Sequence, residues 1–353
     1  MNSKNYIRVY LVTLLSLILL FSGIVIYTDP YFHYHKPQDN LDYVLGNQRY
    51  QNNGISKHFE YDAIITGTSM TENFRVSQLN ELFDVNAIKL PYSGASFKEI
   101  NDSLIKSISY NPNIKMIVRG LDTDAILHRK DHMSYDNMPN YLYDNNIFND
   151  LNYLLNKDLY FNDLRYLCLE PTIDNKSELD FDEYSRWMDD SEFGYDKVIV
   201  TYNRPDHIDY ETQKALDETY KPIVYDNIKQ NVTSIVTDNP NVEFYYFFTP
   251  LSILHFDKEN RRGILEEVFN HLEYATELML EHDNIKLYSI LDNYDIITNL
   301  DNYKDVAHHK DYINELMLDN MKNNVGLLTK DNYKQHFNEL RNFYLNYDYE
   351  SIF

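Results

Sequence analysis

The stretch Asp62-Ala63-Ile64-Ile65-Thr66-Gly67-Thr68-Ser69-Met70 decides the reading of the fold. Ala63 to Thr66 is a short, largely apolar run closed by a glycine, the pattern of a strand buried on both faces. Ser69 follows at the head of a predicted helix, where a hydroxyl would stand beyond the carboxyl end of the strand and near the positive end of a helix dipole. A lone G-x-S of this kind reads more often as a turn or helix cap than as a nucleophile.

The same rhythm continues downstream. Val85 to Leu90 predicts a second strand, and Ser96-Phe97-Lys98-Glu99 reads as a capping box opening a helix with Ile100, Leu104, Ile105 and Ile108 on one face. Ile114 to Val118, Val242 to Phe248 and Ile285 to Ile290 predict three more strands. Ile264, Leu265, Val268, Phe269, Leu272, Ala275 and Met279 recur at helix spacing, Tyr312, Ile313, Leu316 and Met317 mark another helix, and Asn332 to Tyr344 a last one. Strands alternating with helices define an α/β fold with a parallel sheet of about five strands and helices on both faces. Within 353 residues this places the main domain at 56–325, with a polar insertion at about 128–210 and a C-terminal helix over 326–353. Insertions at the carboxyl ends of strands commonly shape binding sites.

Composition narrows the class. Apolar residues make up 43% and charged residues 25%, so the chain can bury a core. The net charge of −23 repels phosphate backbones, which argues against a nucleic-acid partner and fits a solvated acidic surface. The only cysteine, Cys168, rules out an intrachain disulfide or a cysteine-held metal cluster, and its neighbours Tyr166, Leu167 and Leu169 predict buried packing.

The N-terminus carries a different signal. From Tyr6 to Tyr27 the chain is apolar apart from Arg8, long enough to cross a hydrocarbon core of about 20 residues. Lys4 and Arg8 precede the run and Asp29 follows it, which predicts a cytoplasmic N-terminus and an extracytoplasmic remainder. No A-x-A-like site follows Ser22-Gly23, so residues 1–28 read as an uncleaved anchor rather than a signal peptide. Residues 29–55 read as an aromatic collar and linker; within it, His33 and His35 form an isolated H-x-H and are not assigned to a metal.

The far end of the chain changes the weight of Ser69. Asp305-Val306-Ala307-His308 lies past the fifth predicted strand and is expected to open a helix, with spacing that lets a carboxylate orient an imidazole. A serine nucleophile needs such a base, and the base needs a partner that fixes its tautomer. His309 is read as a packing or substrate contact and as the alternative base. Adjacent helical residues diverge by about 100°, so the His308–His309 pair is not read as a metal site.

With these residues in view, the chain resembles the SGNH/GDSL hydrolase family, whose four short blocks occur in a fixed order. Gly67-Thr68-Ser69 resembles the nucleophile block, Ser93-Gly94-Ala95 the glycine block, Gly120-Leu121-Asp122 the third and Asp305 to His308 the last, together spanning 61 to about 320. The resemblance implies a three-layer, flavodoxin-like sheet, with Ser69 as nucleophile, His308 as general base and Asp305 orienting it. It also implies an oxyanion hole of the Ser69 and Gly94 N–H groups plus a third-block side chain. That place normally holds an asparagine, and here it holds Asp122. An ionised carboxylate cannot donate. Asp122 points away, or Thr123 or another donor replaces it, or its surroundings keep it protonated.

An outward-facing domain of this type on one anchor is similar to the D-alanine transfer proteins of teichoic-acid D-alanylation and to polysaccharide O-acetyltransferases. The implied reaction is serine-mediated acyl transfer or ester hydrolysis, without a cofactor or metal, on a cell-surface glycan or teichoic acid. A membrane-bound exporter of the acyl donor is an implied partner. Thr68, Thr123 and His309 are candidate substrate contacts beside the site; Arg186, Trp187 and Arg204 are candidate carbohydrate contacts within the insertion. A catalytically degenerate scaffold or polymer-binding protein is the alternative reading.

Overall fold

The computed structural model describes residues 3–164, 179–189, 191–207 and 217–353. The chain divides into two compact units, Met1–Glu60 with Asn137–Asp180, and Tyr61–Asp136 with Phe181–Phe353. The segment read as one insertion is thus shared between them. Cys168, expected in buried packing, lies outside the described residues.

The first unit opens with helix α1 (Ser3–Thr28), long and apolar enough to cross a membrane. Beyond it, Asp29 turns the chain at φ +38°. Its buried carboxylate accepts the backbone N–H groups of His33, Tyr34 and His35 at 3.0, 2.7 and 2.9 Å and the Tyr153 hydroxyl at 2.8 Å. Four donors compensate the desolvation of that charge. In helix α2 (Gln48–His58), Gly54 lies against the carbonyls of Tyr31 and Phe32, and a Cβ there would collide with both. Val25, Tyr31, Leu142, Tyr143, Tyr153 and Leu159 form this unit's apolar core, so the aromatic collar is partly packed interior.

The second unit is α/β. Strands β1 (Ala63–Gly67), β2 (Ala87–Pro91), β3 (Met116–Leu121), β4 (Glu243–Phe248) and β5 (Ile285–Tyr288) are parallel, and a two-residue strand β6 (Leu327–Leu328) adds antiparallel to β5. The expected five-stranded sheet is therefore six-stranded, in the order β2-β1-β3-β4-β5-β6. Two residues carry no readable periodicity, which is why β6 escaped the sequence reading.

Alternate residues of each strand face opposite sides, so both faces need cover. Ile65, Val118, Tyr245 and Phe247 pack with helix α3 (Val76–Phe83) on one side, together with Ile313, Met317 and Met321 of helix α8 (Asp311–Asn323). On the other side Arg119 meets helix α4 (Phe97–Tyr110), and Phe248 contacts Phe337 of helix α9 (Tyr333–Leu345). In sequence, α5 (Asp217–Ile228), α6 (Ile253–Arg261) and α7 (Leu265–Met279) come between α4 and α8. The capping box of α4 is formed as expected, with Ser96 N–H donating to Glu99 at 2.8 Å and Glu99 N–H to Ser96 Oγ at 3.3 Å.

Two interior cations were not foreseen. Arg119, fully buried in β3, donates to the carbonyls of Asn231 at 2.8 Å and Phe97 at 3.1 Å. Lys89, fully buried in β2, donates to the carbonyls of Glu72, Phe74 and Asp182. Carbonyl partners make such burial tolerable.

In this strand order the connections leave β1 and β3 in opposite directions, and ligands of open α/β sheets bind at the carboxyl ends beside such a switch point. Ser69 follows β1 and Asp122 follows β3, both at that edge.

Candidate active site

Gly67 ends β1 at φ +151°, and a Cβ there would stand 2.6 Å from Thr71 Cγ2. Only glycine makes this turn without strain. The chain then forms one 3₁₀ turn, Ser69–Thr71, instead of the expected helix, and α3 starts only at Val76. Thr71 Oγ1 donates to Thr68 O at 2.8 Å, closing the turn and leaving Ser69 half-exposed. A single turn has little macrodipole to act on the hydroxyl.

The expected partners of Ser69 lie beside it. Ser69 Oγ lies 2.8 Å from His308 Nε2, and His308 Nδ1 lies 2.7 Å from Asp305 Oδ2 and 3.0 Å from Oδ1. Asp305 to His308 is a non-helical turn rather than the expected helix start; α8 begins at Asp311. Asp305 Oδ1 builds the turn by accepting the N–H groups of Ala307 and His308, each at 2.8 Å. Burial would raise this carboxyl, but the His308 ring and the two N–H groups outweigh it and hold it below its ordinary value. In the tautomer with the hydrogen on Nδ1, that N–H donates to the carboxylate and Nε2 presents a lone pair to the Ser69 hydroxyl.

Asp122 stands at the end of β3, where the sequence reading expects an asparagine. Its Oδ1 is buried with no hydrogen-bond partner. Burial pushes its carboxyl up, the nearby Asp124 charge adds to this, and the Thr68 and Thr249 hydroxyls and His308 oppose it. A raised carboxyl favours the neutral acid, which has an O–H to donate. Among the described residues, neither the Ser69 N–H nor the Gly94 N–H donates a hydrogen bond, and Gly94 is exposed at φ +65°.

The remaining expected contacts divide. Thr68 and Thr123 are buried, the first inside the turn and the second with its hydroxyl unpartnered. Neither presents a surface to a polymer. His309 is 2% exposed, packed against Tyr303, with Nδ1 3.0 Å from Lys310 O. Burial drives its pKa down to about 4. It is an interior residue, so of its expected roles packing fits its place. Arg186 is held by Asp189 at 2.7 Å and Asp311 at 3.1 Å, and Arg204 by Asp257 and Glu350, so both are committed to ion pairs rather than carbohydrate.

Trp187 has the strongest tie to the reactive pair. Its indole N–H donates to Ser69 O at 3.3 Å, and its ring meets the His308 ring edge-on at a centroid distance of 5.3 Å. The Trp187 N–H also donates to Asn73 Oδ1 at 3.2 Å, and Lys304 Nζ sits 3.5 Å above the indole. Burial lowers the Lys304 pKa. Lys89 ties the same two segments together from below, through the carbonyls of Glu72, Phe74 and Asp182. Lys304 and Lys89 were missed in the sequence. Lys304 adjoins Asp305 but carries no motif, and Lys89 sits in a strand whose other residues are apolar.

Among the described residues, Asp124, His255 and Glu259 each bring one ligand atom within 4.8 Å of the others. Glu259 Oε1 is already paired with Lys258 at 3.2 Å and Arg262 at 3.3 Å, cations that compete with any metal. Chemically, the Ser69–His308–Asp305 arrangement can form and break an acyl ester without a metal. No family model matches the chain, and no curated protein or solved structure matches it.

Proposed function

We propose that the chain is a serine-dependent acyltransferase or esterase of the SGNH type, anchored by α1 with its α/β unit outside the cell. The observation that carries this reading is the 2.8 Å separation of Ser69 Oγ and His308 Nε2, with Asp305 on the opposite ring nitrogen. The order of the four sequence blocks and their place at the carboxyl edge of the sheet support it further.

In this reaction Ser69 Oγ attacks the acyl carbonyl as its proton passes to His308 Nε2, and Asp305 stabilises the imidazolium. The developing oxyanion is met by the Ser69 and Gly94 N–H groups and by the O–H of a neutral Asp122. Collapse expels the donor's leaving group, which takes the proton from His308, and leaves an ester on Ser69. A hydroxyl of a cell-surface glycan or teichoic acid then gives its proton to His308 and attacks the ester carbonyl; collapse expels Ser69 Oγ, which regains its proton. Water in place of that hydroxyl makes the same cycle a hydrolysis.

An apolar anchor and an ester-forming serine together fit a polymer made or modified at the outer membrane face, with a membrane-bound exporter supplying the acyl donor. The test is NMR of ester-linked substituents on surface glycans and teichoic acids from cells carrying the wild type or Ser69→Ala. Loss of one ester signal in the variant supports the proposal, and identical spectra contradict it.

A further inference from the structure

We infer that the segment from Ile147 to Phe161 is a second membrane contact, seated in the outer leaflet beside α1. The inference rests on the reading of α1 as a membrane-spanning helix and goes beyond it by adding a surface that does not span.

The geometry lies within one unit. Tyr160 meets Phe21 of α1 edge-on at a centroid distance of 5.5 Å. Phe21 lies seven residues before the helix end at Thr28, which at about 1.5 Å per residue is about 10 Å into the apolar part of α1. If Phe21 is in hydrocarbon, Tyr160 and the chain around it stand at the depth of the headgroup and upper acyl region. The helical turn Leu151–Leu154 also packs against α1.

The outward side chains suit that depth. Ile147, Phe148, Leu151, Leu155 and Phe161 are 73%, 84%, 54%, 45% and 75% exposed. Tyr153 and Leu159 are turned into the core, so the segment buries one face and leaves an apolar one uncovered. Two nearby acids are engaged within the unit: Asp150 is buried against His33 and Tyr34, and Asp163 accepts the Tyr31 hydroxyl at 2.7 Å, with burial raising its pKa. Lys157 and Asp158 are exposed and belong at headgroup level. An apolar face sunk about 5–10 Å into the headgroup boundary is the ordinary mode of a non-spanning amphipathic segment.

The full chain with Cys168→Ser is given one new cysteine, Phe148→Cys, Phe161→Cys or Phe21→Cys. Each is labelled with an environment-sensitive fluorophore and reconstituted alone into phosphatidylcholine/phosphatidylglycerol vesicles with or without brominated acyl chains. Quenching at position 21 together with 148 and 161 supports the inference. Quenching at 21 with none at 148 and 161 overturns it while the anchor stands, and is the result expected if this face serves a protein partner. No quenching at any of the three overturns both readings.

Discussion

The Ser69 hydroxyl and His308 Nε2, 239 positions apart in the sequence, lie 2.8 Å from each other. The turn Asp305–His308 holds the ring from one side and Trp187 from the other. The His308 ring is thus held by a carboxylate and an indole, each from a different part of the chain.

Asp305→Asn tests the carboxylate. An amide keeps the size but can leave His308 in the wrong tautomer, and in a well-studied serine protease the same change lowers kcat by about 10⁴-fold. Here kcat on an activated ester is expected to fall by about 10³- to 10⁴-fold with KM little changed. The depressed Asp305 pKa also adds stability that is fully present above its unfolded pKa and lost as pH falls through the folded one. The Tm difference between wild type and variant should therefore shrink on acidification.

Asp122→Asn tests the neutral acid. Because burial raises the Asp122 carboxyl, the wild type should lose activity as alkaline pH ionises it, whereas the variant keeps a donor at every pH. Profiles of kcat/KM against pH should agree on the acid side and diverge on the alkaline side. Asp122→Ala, which has no donor, should cost about 10²- to 10³-fold at neutral pH. Superimposable wild-type and Asn profiles would remove Asp122 from the oxyanion hole.

Trp187→Phe and Trp187→Ala separate its two contacts. Phenylalanine keeps a ring against His308 and loses the bond to Ser69 O, whereas alanine loses both. A misplacement of about 1 Å near the reacting atoms can cost about 10²-fold, so kcat should fall in the order wild type, Phe, Ala. Equal kcat in all three would show that the indole only covers surface.

Gly67→Ala tests the turn that presents Ser69. The new methyl meets Thr71 Cγ2 at 2.6 Å, at a φ of +151°. Strained backbone of this kind costs about 1–3 kcal/mol, and the clash adds to it. Denaturant unfolding should show a loss of at least that size, partly restored by Thr71→Ser, which removes the opposing methyl.

Much of this was legible in the sequence because buried parallel strands announce themselves as apolar runs. Ala63–Gly67, Ala87–Pro91 and Glu243–Phe248 lie within about two residues of where that pattern put them. That Ser69, His308 and Asp305 could meet was legible because a serine just after a strand and an Asp-x-x-His pair late in the chain suit one chemistry, and the structure places them within hydrogen-bond distance. His309 was legible only as packing, substrate contact or rival base, because its neighbours are polar and nothing local shows that it is buried beside Tyr303. For Arg186 and Arg204 ordinary surface or packing roles were the leading reading; Arg186 pairs with nearby Asp189 and distant Asp311, and Arg204 with distant Asp257 and Glu350. Trp187 was named for carbohydrate, and only folding brings it against His308.

The most direct test is covalent labelling of the full chain with a fluorophosphonate, comparing wild type with Ser69→Ala and His308→Ala. Rapid incorporation in the wild type, none in Ser69→Ala and strong slowing in His308→Ala is the predicted result. A folded wild type that resists the reagent, or one labelled equally well without Ser69, would contradict an activated serine at this site.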